Sequence, residues 1–73
     1  MKDKTGKKLK IGDYVESSDT TWRYGKIFMC SDWSDLVGVE LEPHRASMTY
    51  VMGNTLKKVS ERETIFLKLQ GVL

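Results

Sequence analysis

Apolar and polar residues alternate over short runs of this chain, and clusters of glycine, asparagine, aspartate and serine separate the runs. Residues 36–41 (LVGVEL) carry the clearest alternation. Val37, Val39 and Leu41 fall on one face and Gly38, Glu40 and Glu42 on the other, which predicts a half-buried strand. Pro43 has no N–H to give a ladder and ends it. Residues 22–30 (WRYGKIFMC) predict a second strand of aromatic and branched residues. Its alternation places Ile27 and Met29 on one face and Lys26, Phe28 and Cys30 on the other. Gly25 interrupts it, as at a bulge or where another backbone comes close. Phe28 breaks a simple in/out division, which implies partial cover on both faces. Residues 48–52 (MTYVM) and 55–59 (TLKKV) predict two further strands, and Gly53-Asn54 predicts a tight turn pairing them as a hairpin.

Residues 3–16 (DKTGKKLKIGDYVE) open the chain with two turns, at Gly6 and Gly12. Leu9 and Ile11 are the apolar anchors between them, and Tyr14 and Val15 begin the first strand. Asp13, next to Gly12, is placed to lock its turn by accepting from N–H groups two residues on. Residues 16–21 (ESSDTT), 31–35 (SDWSD) and 44–47 (HRAS) have loop composition. The core expected from these patterns is Leu9, Val15, Ile27, Val37, Val39, Leu41, Leu56 and Val59.

The end of the chain supports two patterns. Ser60 and Glu63 form an S-x-x-E capping box, Glu61 and Glu63 suit the positive end of a helix dipole, and Lys68 suits the negative end. Ile65, Phe66, Leu69 and Val72 line one helical face, and Gly71 sits at a C-terminal cap position. Residues 64–69 also alternate as a strand. The caps favour a short helix over residues 61–70.

The 73 residues make one domain, 1–73, with a lysine-rich N-terminal arm over about residues 1–8. A chain of this size hides only about 60% of its unfolded surface, so its core is thin and leaves no room for a deep enclosed site. The formal net charge of +2 is unevenly placed, with Lys2, Lys4, Lys7, Lys8 and Lys10 crowding the start. Such a run attracts phosphates or simply keeps a terminus solvated. The single cysteine, Cys30, excludes an internal disulfide and a thiolate zinc cluster. No run is apolar enough for a signal peptide or a membrane span, so a cytoplasmic protein without a membrane partner is expected.

Several short strands joined by turns in so short a chain imply a sheet rolled on itself to hide its edges. The pattern D-x-x-G-x-x-L-x-x-G-D-x-V (Asp3, Gly6, Leu9, Gly12, Asp13, Val15) resembles the opening of many small Src-homology-3-like (SH3-like) barrels. KOW-type modules and the C-terminal barrel of the PhnA-like proteins share such openings. G-K-I (Gly25–Ile27) and G-V-E-L (Gly38–Leu41) are similar to the second and third strands of that fold. The second also resembles the CAP-Gly domain, whose lysine- and glycine-rich peptide-binding loop is absent here. The resemblance implies a mainly β, five-stranded SH3-like barrel; a fold shared this widely implies no one function.

Catalytic chemistry has few candidates. His44, the only histidine, falls in a loop with no orienting carboxylate near it, and Cys30 lies at the end of a strand. Asp32 and Asp35 flank Trp33 without the spacing of a calcium loop. No glycine-rich phosphate cradle occurs. The expectation is no enzyme activity, no metal and no cofactor.

Binding has more to work with. Trp22, Arg23 and Tyr24 flank one loop and Trp33 occupies another, and aromatics and arginine dominate binding hot spots. The resemblance implies that the loops after the first two strands share the ligand side of the barrel, which would bring Trp22 and Trp33 together. Against this stands a tryptophan that plugs an open end of the barrel. Two functions follow. One is a protein-interaction module, an accessory protein of a bacterium or phage, acting through Trp22, Arg23, Tyr24 and Trp33. The other is a KOW-like nucleic-acid binder using Lys7, Lys8, Lys10, Lys26, Lys57 and Lys58 on phosphates and the aromatics on bases. Lysines converging on the aromatic face favour the second; scattered lysines favour the first.

Overall fold

The computed structural model describes residues 1–18, 22–42 and 47–73. The expectations for residues 19–21, for Pro43 and for the loop holding His44 lie outside them. Five antiparallel strands form one sheet: β1 (Tyr14–Ser17), β2 (Tyr24–Cys30), β3 (Leu36–Glu42), β4 (Met48–Met52) and β5 (Leu56–Lys58). A short helix, α1 (Glu61–Leu69), follows. The strand order is β4-β3-β2-β1-β5.

The Gly53-Asn54 hairpin does not form. β5 pairs with β1, through Val15–Lys58, Glu16–Lys57 and Ser17–Leu56, and not with β4. A 3₁₀ turn, Gly53–Thr55, replaces the two-residue turn. It is anchored by the Gly53 N–H donating to the Asp35 carbonyl at 2.6 Å. The chain thereby leaves one edge strand of the sheet and enters the other. Four Cα–Cα steps reach at most about 15 Å. A flat five-stranded sheet would hold its edges about 19 Å apart. The sheet therefore curls.

The concave face holds the core: Leu9, Val15, Ile27, Val37, Val39 and Leu56 are buried together. Leu41, expected in the core, is only half-buried at its edge. Gly25 faces Val39 closely enough that a Cβ there would collide with Val39 Cγ1, and the Glu40 carbonyl would lie 3.0 Å away. Close approach, and not a bulge, explains this glycine. The irregularity falls at Phe28, where the β2–β3 register shifts between Ile27 and Met29. The extra residue reverses the alternation beyond it. Cys30 therefore packs on the core, while Met29 pairs with Gly38 on the convex face. Phe28 lies over Gly38, whose missing Cβ leaves room for the ring.

The N-terminal segment is held by Asp3, the one buried charged residue among those described. Its Oδ1 accepts from the Thr5 N–H (2.9 Å), the Thr5 hydroxyl (2.7 Å) and the Lys7 N–H (2.8 Å). Oδ2 accepts from the Lys58 N–H at 2.6 Å, across 55 residues of sequence. Burial pushes the Asp3 pKa up. The four hydrogen bonds, Lys58 foremost, outweigh it and bring the pKa from 3.8 to about 2. Asp3 thus makes the forward turn bond expected of Asp13. Asp13 instead reaches back to the Lys10 N–H (2.9 Å) and meets Lys58 Nζ at 3.4 Å.

The helix is the element the capping box indicated. Ser60 Oγ accepts from the Glu63 N–H at 3.1 Å. At the other end Gly71, at φ 77°, closes the helix with bonds from Gly71 N–H to Lys68 and from Val72 N–H to Leu67. Its docking face differs from the expected one. Leu67 is buried against Tyr14 and Val59, with Tyr24, Val72 and Leu73 around them. Ile65, Phe66 and Leu69 are exposed. The stripe that docks, Thr64–Leu67–Lys68, carries a hydroxyl and an amine, so a count of apolar residues overlooks it. Lys68 Nζ sits over the Tyr14 ring, 5.1 Å from its centroid. No helix among the described residues is long and apolar enough to cross a membrane.

Candidate functional site

The curled sheet divides its convex face in two. Helix α1 covers the β5–β1 side through Tyr14, Tyr24 and Val59. Among the described residues, no helix covers the β3–β4 side. Cross-strand partners share a face, so the β3–β4 register puts Gly38, Glu40, Met48, Tyr50 and Met52 on this convex side. Phe28 and Met29 join them from β2. Met48 is 61% exposed, Tyr50 56% and Met52 43%, and together they form an apolar patch at the edge of the sheet. Phe28 and Tyr50 meet edge-to-face with ring centroids 6.0 Å apart, which fixes both rings. Glu40, paired with Lys26, borders the patch toward the helix.

The turn that carries Trp33 lies at the Met52 end of β4. Trp33 is 91% exposed in this turn, between β2 and β3. That turn ends at Asp35, whose carbonyl receives the N–H of Gly53, the residue after Met52. Trp22 lies before the opposite end of β2. It is half-buried, packs on the core and approaches the space beside Gly25. The two tryptophans are therefore not brought together. Seven strand residues separate them, on the order of 20 Å at the usual rise per residue. Trp22 fits the plug of an open end of the core better than a contact surface. Arg23 and Tyr24 sit beside it, with Arg23 Nε 3.3 Å from Glu16 Oε2 and its guanidinium 5.4 Å from the Tyr24 ring centroid.

The lysines gather elsewhere. Lys10, Lys58 and Lys68 line an open groove of about 520 Å³ between α1 and the turn before β1, together with Asp13, Tyr14 and Glu61. Lys26 approaches the same tyrosine at 5.7 Å, and Lys58 Nζ reaches the Lys8 carbonyl at 3.4 Å. Tyr14 is buried beneath Leu67 and these ammonium groups, so it offers no free face for a base to stack on. Lys57 lies on another side, beside Lys4, Glu16 and Ser17. Lys7 is exposed in the N-terminal turn.

Comparison with protein-family models, with curated proteins and with solved structures gave no match. The site is therefore judged on its own chemistry. Among the described residues no three histidine, cysteine, aspartate or glutamate side chains come together as a metal-holding group. Cys30 is half-buried, and burial, with Asp13 nearby, pushes its thiol pKa up, away from the thiolate that nucleophilic or metal chemistry uses. Met48, Tyr50 and Met52, with the half-buried Phe28, were not expected as a surface from the sequence. Their signal was present: Met48, Tyr50 and Met52 alternate along a strand that carries no charge.

Proposed function

We propose that this chain is a small SH3-like barrel acting as a non-catalytic protein-binding module. The barrel is supported by the return of β5 to β1 through a three-residue turn, which draws the sheet edges toward each other. The single free cysteine suits a reducing cytoplasm.

One observation carries the binding reading: the patch of Met48, Tyr50 and Met52, with Phe28 beneath, is apolar and exposed, and so is Trp33 in the turn nearest Met52. Contiguous exposed apolar surface on a small protein marks an interaction site. Methionine and aromatic side chains suit it, the first by adapting to a partner and the second by giving rigid contact area. Its occupant is an apolar surface of another protein. The KOW-like alternative rests on the lysine groove, but those lysines surround a covered tyrosine and lie apart from the exposed aromatics.

Affinity capture from the native host, with nuclease and with salt from 50 to about 300 mM, tests the assignment. A protein captured by wild type, retained across this range and lost with Trp33→Ala or Met48→Lys supports it. A nucleic-acid ligand gives the opposite result, since each phosphate contact adds about 0.9 to the log–log slope of affinity against salt. Nuclease-sensitive capture that collapses with salt and ignores both substitutions overturns it.

A further inference from the structure

The two edges of the sheet are treated differently. The β5 edge is occupied within the chain: the Lys4 N–H donates to the Leu56 carbonyl and Asp3 receives the Lys58 N–H. β4 lies at the end of the strand order, with no described strand beyond it. It also lacks the usual protections of an edge, since MTYVM contains no charged residue and no proline and its pairing with β3 has no bulge. Each of the other four strands carries at least one charge.

The ladder settles which backbone groups face outward. Leu41 N–H donates to Ser47 and Gly53 N–H to Asp35, bracketing β4 at both ends. Antiparallel pairs alternate between bonded and non-bonded, so Ser47, Thr49, Val51 and Gly53 turn their N–H and C=O toward β3. Those of Met48, Tyr50 and Met52 point away from the sheet. The Met52 carbonyl is engaged within the chain, accepting from the Thr55 hydroxyl at 2.7 Å where the 3₁₀ turn begins, so the outward groups offered for pairing are the N–H and C=O of Met48 and Tyr50 and the N–H of Met52.

We propose that β4 pairs antiparallel with β4 of a second copy about a two-fold axis through Tyr50. This register meets two requirements with one parity. The outward-facing residues must lie directly opposite one another to exchange bonds, and they do: Tyr50 opposes Tyr50 of the partner and Met48 opposes the partner's Met52. The apolar rows must also continue on one face, and the same parity keeps every exposed β4 side chain on the convex side. No like charges meet, because Glu40 and Lys26 remain one and two strands back from the junction. The product is a continuous ten-stranded sheet whose convex face joins two Phe28–Tyr50 pairs. The inference goes beyond partner binding, because Trp33 takes no part in it.

Sedimentation equilibrium of the full chain at about 100 μM tests it, in the range where a micromolar dimer is populated. Wild type is expected at twice the chain mass. Tyr50→Pro removes the central outward donor while sparing every bond to β3, and is expected at the chain mass with unchanged far-UV circular dichroism. Should the proline variant fail to fold, Tyr50→Lys sets two ammonium groups opposite each other and is expected at the chain mass. Trp33→Ala is expected to leave the dimer intact while losing the partner, which separates the two claims. Register is read in a Cys30→Ser background. There Tyr50→Cys is expected to oxidise to a disulfide dimer, the bonded Cα spacing of about 5.5 Å being within disulfide range, whereas inward-facing Thr49→Cys is not. A wild-type monomer at this concentration overturns the proposal, as does a dimer that survives Tyr50→Lys.

Discussion

Replacing Asp3 by asparagine keeps the shape of the side chain and removes its charge. The structure gives the size of the effect. Lowering the carboxyl pKa from 3.8 to about 2 spans a little under two pH units. At 1.36 kcal/mol per unit, this is about 2.5 kcal/mol of native-state stabilisation. Solvent near the exposed lysines screens part of it, so about 2 kcal/mol is the working figure. The asparagine amide also turns an N–H donor toward either the Lys58 N–H or the Thr5 and Lys7 N–H groups. The folded-state pKa lies below the unfolded one, so the contribution is complete above about pH 5 and is lost as pH falls through 4 toward 2. Urea denaturation of both proteins, at one protein concentration and at pH 7, 5 and 3, reads it. At pH 7 the midpoint should fall by about 2 M, taking a slope of about 1 kcal/mol per M. The gap should narrow at pH 3 as wild type loses its advantage. A pH 7 gap under about 0.5 kcal/mol, or one unchanged down to pH 3, would refute the assignment of Asp3 as the charged link between the N-terminal turn and β5.

Three further outcomes test the packing. Gly25→Ala should cost about 1–3 kcal/mol by overpacking, and less in a Val39→Ala background, because the collision with Val39 is gone while the Glu40 carbonyl remains; additive costs in the double-mutant cycle would contradict the close approach. Leu67→Ala should cost about 2–4 kcal/mol and Leu69→Ala close to nothing, the reverse of what the apolar stripe in the sequence implies; equal thermal shifts would show the helix docked on another face. Ser60→Ala should cost about 0.5–2 kcal/mol, read as a lower denaturation midpoint with loss of helical signal over residues 61–69.

Much of the fold was legible because its determinants are local. Val37 and Val39 are two residues apart on an unbroken strand, so period two assigned them to the core without knowledge of their neighbours. Ser60 with Glu63, and Gly71 eleven residues on, announced both ends of the helix through backbone groups that only short-range partners satisfy. What was not legible depended on longer-range geometry. Gly53-Asn54 has the composition of a hairpin turn, but the buried Gly53 is committed to Asp35, and β5 gains its partner from β1. The bulge at Phe28 changes parity midway, so Cys30 and Met29 trade faces and no alternation read through the strand recovers them. Trp22 and Trp33 are equally suggestive as letters. Only the position of Gly25 and Val39 shows the first to be core packing and leaves the second in solvent. The apolar patch needed two strands and the bulge to be set side by side before it became a surface.

A protein partner is proposed to cover Met48, Tyr50 and Met52 and to leave the lysine groove open. The four methionines, Met1, Met29, Met48 and Met52, are natural reporters of this. Methyl spectra of protein carrying ¹³C-methyl methionine, recorded before and after addition of nuclease-treated native-host extract, measure it directly. The Met48 and Met52 methyl signals are expected to shift or broaden, and Trp33→Ala is expected to abolish the change. Methyl signals that do not move, with shifts confined to the amides of Lys10, Lys58 and Lys68 and abolished by nuclease, would contradict it.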